Sequence, residues 1–165
     1  MRPAVWYLNA ALRTVRAFAP ALARPDDAFA ASRLPANEYA LYRRMDRRDR
    51  DHACRVASAL LASEPDVSPQ VVRAALLHDV GKSDRPYRGW ERIAVHLYRP
   101  ADAGAAASAG RLGRLWWHHQ QHAERGADMI VAAGGDAVVA ELVRRHHDAD
   151  GPEGSRAIQR VDERT

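Results

Sequence analysis

A chain of 165 residues, 47% of them hydrophobic, is long enough for one domain with its own core and needs no covalent staples. The single cysteine, Cys54, excludes an internal disulfide, and the opening residues carry no charged-then-apolar leader, so the cytoplasm is the expected compartment. A net charge of +4, from 25 basic and 21 acidic residues, is scattered rather than gathered into a stripe, so a nucleic-acid partner is not indicated.

Along the chain the apolar residues recur at three- and four-residue steps, and no segment alternates as a strand, which predicts an all-α fold. Ala4–Ala23 is apolar, but Arg13, Arg16 and Pro20 interrupt it, so it reads as an amphipathic helix and not a membrane span. Pro25-Asp26-Asp27 opens a second short helix, Pro35–Met45 forms a third, and Asp49–Ser63 a fourth with His52 on its core side. Ser68-Pro69 is a helix start, and the helix it opens runs towards Gly81 with His78 and Asp79 in its last turn. Trp90–Tyr98 reads as a helix and Arg99–Gly110 as an alanine- and glycine-rich loop. Gln120–Ala133 and Asp136–His147 follow, parted by Gly134-Gly135, and Ser155 is placed to cap a last helix through Ile158 and Val161.

Histidines and acids stand at inward-facing positions on several of these helices: His52, His78-Asp79, His122, His146-His147 and Asp162. Such a distribution suits a metal site inside a helical bundle. A carboxylate can bridge two cations where an imidazole serves one, which makes adjacent His78 and Asp79 a natural centre. Each histidine alone has a plainer reading: a satisfied core imidazole for His52, a surface cluster for His118, His119 and His122, and a basic helix end for His146-His147. Only Lys82 among the basic residues is a lysine.

His52, the segment Leu77-His78-Asp79-Val80-Gly81-Lys82 and the late Asp162 resemble the HD-domain phosphohydrolases, over roughly residues 49–162. His122-Ala123-Glu124-Arg125-Gly126 and His146-His147 are similar to elements of the HD-GYP subgroup. Asp150-Gly151-Pro152-Glu153-Gly154 departs from that subgroup's signature, which argues against cyclic-di-GMP as substrate. The resemblance implies an HD-type helical bundle over residues 46–165, with residues 1–45 as a helical extension packed on it. It implies one divalent ion held by His52, His78, Asp79 and Asp162, and a second held by Asp79, His122 and His146. His147 would lie in the second shell or touch a third ion. Arg48 stands where trinuclear members carry a glutamate, so two ions are expected.

An oxygen and nitrogen donor set without thiolate suits Mn²⁺, Fe²⁺, Co²⁺, Ni²⁺ or Zn²⁺. In the implied mechanism, two ions about 3.5–4 Å apart hold a hydroxide that attacks phosphorus in line. Asp79 and Lys82 are the expected catalytic residues, the ammonium neutralising phosphate oxygens, with His118, Arg85 and Arg88 as outer or substrate contacts. The expected substrate is a small phosphoester or phosphoanhydride, nucleotide or signalling nucleotide, and no membrane partner is implied. Two other readings share the pattern: a di-iron oxygenase of the same ligand order, and a non-catalytic, metal-stabilised nucleotide sensor.

Overall fold

The computed structural model describes residues 22–165 except 86, 99, 101, 103 and 109, and all side chains there but those of 92 and 96. The helix expected over Ala4–Ala23 lies outside the described residues as far as residue 21. Among the described residues there is no strand, and none of the helices is long and apolar enough to cross a membrane.

The first half of the fold is built from capped helices around one apolar helix. Helix α1 (Asp27–Ala31) starts at Asp26, whose carboxylate accepts the Phe29 amide at 2.8 Å. Helix α2 (Ala36–Arg44) follows Pro35. Helix α3 (Arg47–Ser63) starts two residues before the expected position, because the Asp46 carboxylate accepts the amides of both Arg48 and Asp49. Helix α4 (Pro69–Leu77) is capped by Ser68. Six of the nine α4 residues are buried, including Val71, Val72, Leu76 and Leu77, so α4 is the central helix and α2, α3, α8 and α9 pack around it.

Helix α4 stops at Leu77, earlier than its periodicity suggests. His78 is its C-terminal cap, Asp79 has left helical geometry, and Val80–Lys82 forms a 3-10 turn. Helix α5 (Gly89–Leu97) and helix α6 (Gly110–Gln120) then make an excursion with a small core of its own: Tyr87, Val95 and Leu115. The loop read over Arg99–Gly110 contains a 3-10 turn at Ala106–Ser108, and α6 is a helix the periodicity did not reveal.

Helix α7 (His122–Ala132) and helix α8 (Ala137–Arg144) are joined through Gly134, whose φ of 68° suits glycine. Helix α8 ends at Arg144, so His146 and His147 lie just beyond it and not inside it as expected. Helix α9 (Glu153–Asp162) begins after Pro152. The expected role of Ser155 as its cap is corrected: Ser155 is fully buried within the helix, and its hydroxyl donates to the Leu142 carbonyl of α8 at 2.9 Å.

The main core joins Leu41 and Tyr42 of α2 with Val56, Leu60, Leu76, Leu77, Ile130, Val143 and Ile158. Each such large side chain contributes about 1.5–3 kcal/mol on burial. A buried carboxylate and its arginine partner border this core. Glu38 is fully buried, and Arg73 holds it with Nε to Oε2 at 2.8 Å and Nη2 to Oε1 at 2.5 Å. The Asp136 amide donates to the same Oε1 at 3.1 Å, so a single carboxylate ties α2, α4 and the start of α8 together.

Candidate metal centre

Five segments bring their polar side chains to one place. His52 comes from α3, His78 and Asp79 from the turn after α4, His122 from the first turn of α7, His146 and His147 from the turn after α8, and Asp162 from the last turn of α9. His52 Nε2 lies 2.7 Å from Asp162 Oδ1, and His78 Nε2 lies 3.9 Å from the same oxygen. Asp79 Oδ1 lies 3.7 Å from His78 Nε2 and 3.4 Å from His122 Nε2. His147 Nε2 is 3.2 Å from His122 Nε2, and the His122 and His146 rings meet edge to face at 5.3 Å. Two groups of donors result, His52 with His78 and Asp162, and His122 with His146 and His147, each with donor atoms within 4.8 Å of one another.

Three of the imidazoles are oriented in the same way. His78 Nδ1 faces the Ala75 carbonyl at 2.8 Å, His122 Nδ1 the His119 carbonyl at 2.5 Å, and His146 Nδ1 the Val143 carbonyl at 2.6 Å. A carbonyl accepts only, so each Nδ1 carries a proton, and the neutral ring presents its Nε2 lone pair inward. His78 Nε2 and His146 Nε2 are fully buried and, among the described residues, have no hydrogen-bond partner. Leaving such atoms unsatisfied costs about 1–3 kcal/mol each. Cations fit them well: a nitrogen lone pair, a neutral tautomer fixed by a carbonyl, and carboxylates close by form the donor chemistry that divalent transition metals take.

Burial pushes the His146 imidazole down to about 3, helped by His147 and His78. Burial and the Lys82 ammonium lower His122 well below its ordinary value, and burial lowers His147. Burial alone would raise the Asp79 carboxyl, yet Lys82 foremost, then His78, His122 and His52, hold it well below the usual carboxylate range. Asp162 is likewise lowered against its burial, by the His52 hydrogen bond and by His78. At neutral pH Asp79 and Asp162 are therefore ionised, and His122, His146 and His147 are neutral.

Lys82 does not project past Asp79 as expected but lies on it, Nζ to Oδ1 at 2.6 Å. Burial would lower this ammonium, and the charges of Asp79, Asp49 and Asp162 outweigh it. Asp49 went unnoticed in the sequence, although it precedes His52 by one helical turn and is 6% exposed; the three-residue spacing was the available signal.

Other expected contacts lie elsewhere. Arg85 pairs with buried Glu91 at 3.2 Å, and Arg88 stands at the exposed start of α5, its amide donating to Glu91. Arg48 Nη2 is held by Asp46 at 3.1 Å. His118 faces the Tyr87 hydroxyl at 2.7 Å and Arg125 Nη2 at 3.1 Å rather than the donor groups. A groove of about 740 Å³ opens onto His122 and His147, lined also by His119, Gln120, Arg145 and Asp148.

The model of the HD-domain family matches residues 50–164, which takes in every donor described above. No curated protein and no solved structure matches the chain.

Proposed function

The chain belongs to the HD-domain family of metal-dependent hydrolases, and from that premise we propose that it hydrolyses a phosphoester or phosphoanhydride of a nucleotide or signalling nucleotide. His52, His78 and Asp162 hold one divalent ion, His122, His146 and His147 hold a second, and Asp79 serves both. His147 enters the donor set here, not an outer shell, because its nitrogen lies with those of His122 and His146. The observation that carries the reading is the pair of buried, partnerless nitrogens His78 Nε2 and His146 Nε2.

Ions bound there supply Lewis acidity to a phosphorus–oxygen bond and acidity to an attacking water. The protein's own contribution is orientation and charge. The carbonyls of Ala75, His119 and Val143 turn Nε2 of three imidazoles inward, and burial keeps His122 and His146 neutral, so neither of these two has to lose a proton before it acts as a donor. Asp79 stays ionised at the centre. The Lys82 ammonium, at its side, is placed to take up negative charge that develops on non-bridging phosphate oxygens. The groove beside His122 and His147, about 740 Å³, has room for a nucleotide-sized group. Water oxygen bonds to phosphorus, the phosphorus–oxygen bond to the leaving group breaks, and the leaving oxygen takes a proton.

Elemental analysis of protein purified without chelator, paired with hydrolysis of an aryl phosphodiester under Mn²⁺ and under anaerobic Fe²⁺, tests the reading. About two ions per chain with turnover is the expected result. A chain that takes up no metal would overturn it, and dioxygen consumption coupled to turnover would replace hydrolysis with oxygenase chemistry.

A further inference from the structure

Arg125 stands one turn after His122 on α7, and its guanidinium reaches three segments at once. Its Nη2 donates to the Gly81 carbonyl at 3.0 Å and to the His118 carbonyl at 2.9 Å, and meets His118 Nδ1 at 3.1 Å. Its Nε lies 3.4 Å from Asp84 Oδ2. The network closes through His118, whose Nδ1 takes the Tyr87 hydroxyl at 2.7 Å and whose Nε2 lies 3.6 Å from Asp84 Oδ1. Nδ1 accepts here, so the imidazole carries its proton on Nε2, facing the Asp84 carboxylate.

Gly81 belongs to the turn that follows Asp79 and precedes Lys82, while His118 belongs to the end of α6, next to the His119 carbonyl that orients His122. We propose that Arg125 is a positioning residue that sets the separation of the two donor groups, by clamping the Asp79 turn to the α6–α7 junction that carries His122. The inference rests on the two-ion reading above. One nitrogen, Nη2, meets both carbonyls while Nε faces Asp84; the lysine side chain is one bond shorter, so its ammonium falls short of the Nη2 position and has no second donor fixed in the plane for Asp84. A side chain that fixes metal donors from outside typically changes metal affinity by about 10–100-fold when removed. The loss should fall chiefly on the second ion, because Arg125 shares α7 with His122, whereas the first ion keeps His52 on α3 and Asp162 on α9, which Arg125 does not touch in these contacts, beside the shared Asp79.

The test is titration of the full chain with Mn²⁺, followed by electron paramagnetic resonance, in wild type, Arg125→Met, Arg125→Lys and Tyr87→Phe. Wild type should give the exchange-coupled signal of a close Mn²⁺ pair. Arg125→Met should bind the first ion as wild type does, bind the second on the order of ten-fold to a hundred-fold more weakly, and give an uncoupled signal. Arg125→Lys should weaken the second ion in the same way despite its retained charge, and it decides the matter should the methionine variant fail to fold. Tyr87→Phe, which removes only the far hydroxyl, should change the second affinity least. A coupled pair of unaltered affinity in both Arg125 variants overturns this inference alone. An uncoupled signal in wild type overturns the two-ion reading and this inference with it.

Discussion

Gly81 and Gly126 meet backbone to backbone: a Cβ added at Gly81 would lie 2.6 Å from the Gly126 amide nitrogen and closer still to the His122 carbonyl oxygen. A glycine four residues after His122 thus lets α7 lie against the turn that bears Asp79, which gives the His-x-x-x-Gly spacing a physical meaning. Gly81→Ala should destabilise the protein by about 3 kcal/mol or more through overpacking. Gly126→Ala, whose added Cβ would meet neighbours at 3.2–3.3 Å, should cost less, about 1–2 kcal/mol. Thermal unfolding of both variants, read against wild type, checks the ranking.

Asp79→Ala should remove metal from both positions, whereas His146→Ala should remove the second ion and keep the first. Metal analysis of the two purified variants distinguishes them; full metal content in Asp79→Ala would refute the shared role of that carboxylate.

Lys82→Ala should leave metal content intact, since an ammonium does not coordinate, and should lower phosphoester turnover by about 10²–10³-fold. Steady-state kinetics at saturating metal provides the measurement, and unchanged turnover would reduce Lys82 to a counter-charge for Asp79.

Protein stripped by chelation should lose stability as pH falls below about 6.5, the ordinary histidine value in an unfolded chain. His146 is held down to about 3, and His122 and His147 are lowered too, so in that window the unfolded chain binds more protons than the folded one. Stability is fully present above the window and is lost progressively on descending through it. Below about pH 4 the lowered Asp79 and Asp162 act with the same sign. Denaturant midpoints between pH 7.5 and 5 should show the fall, and His146→Gln should flatten it.

Glu38→Ala should cost about 3–5 kcal/mol, since it leaves Arg73 largely buried without its main partner and frees the Asp136 amide. The loss should appear in the melting temperature, while metal stoichiometry of the folded fraction stays at the wild-type value, because the hydrogen-bond partners of Glu38, Arg73 and the Asp136 amide, are not donor residues.

Much of this arrangement is legible in the sequence where chemistry is local. Asp26, Ser68-Pro69 and Gly134-Gly135 mark helix ends by capping and backbone geometry, and His52 and His122 stand on the helices expected to bear them, whereas His78-Asp79 and His146 lie in turns just past helix ends. What depends on distant partners is not. Helix α6 packs through Leu115 onto the Tyr87 and Val95 cluster, and its own sequence carries Gly110, Gly113 and a mixed face. Ser155 looks like a cap until the Leu142 carbonyl claims its hydroxyl. The position of Lys82 on Asp79, the nearness of Asp49 and the reach of Arg125 across to Gly81 all arise from packing between segments that local periodicity does not encode.

The carbonyl three residues before each of His78, His122 and His146 orients its imidazole, so these histidines carry their own alignment within a single helical turn. No companion side chain has to be inherited together with them. Such a unit tolerates drift in the surrounding sequence and can be transplanted: a histidine placed at the same point of another helix should arrive already aimed. What evolution must guard is the path of the main chain, and a bend in the turn before the histidine would misdirect the ring while every donor residue remained in place.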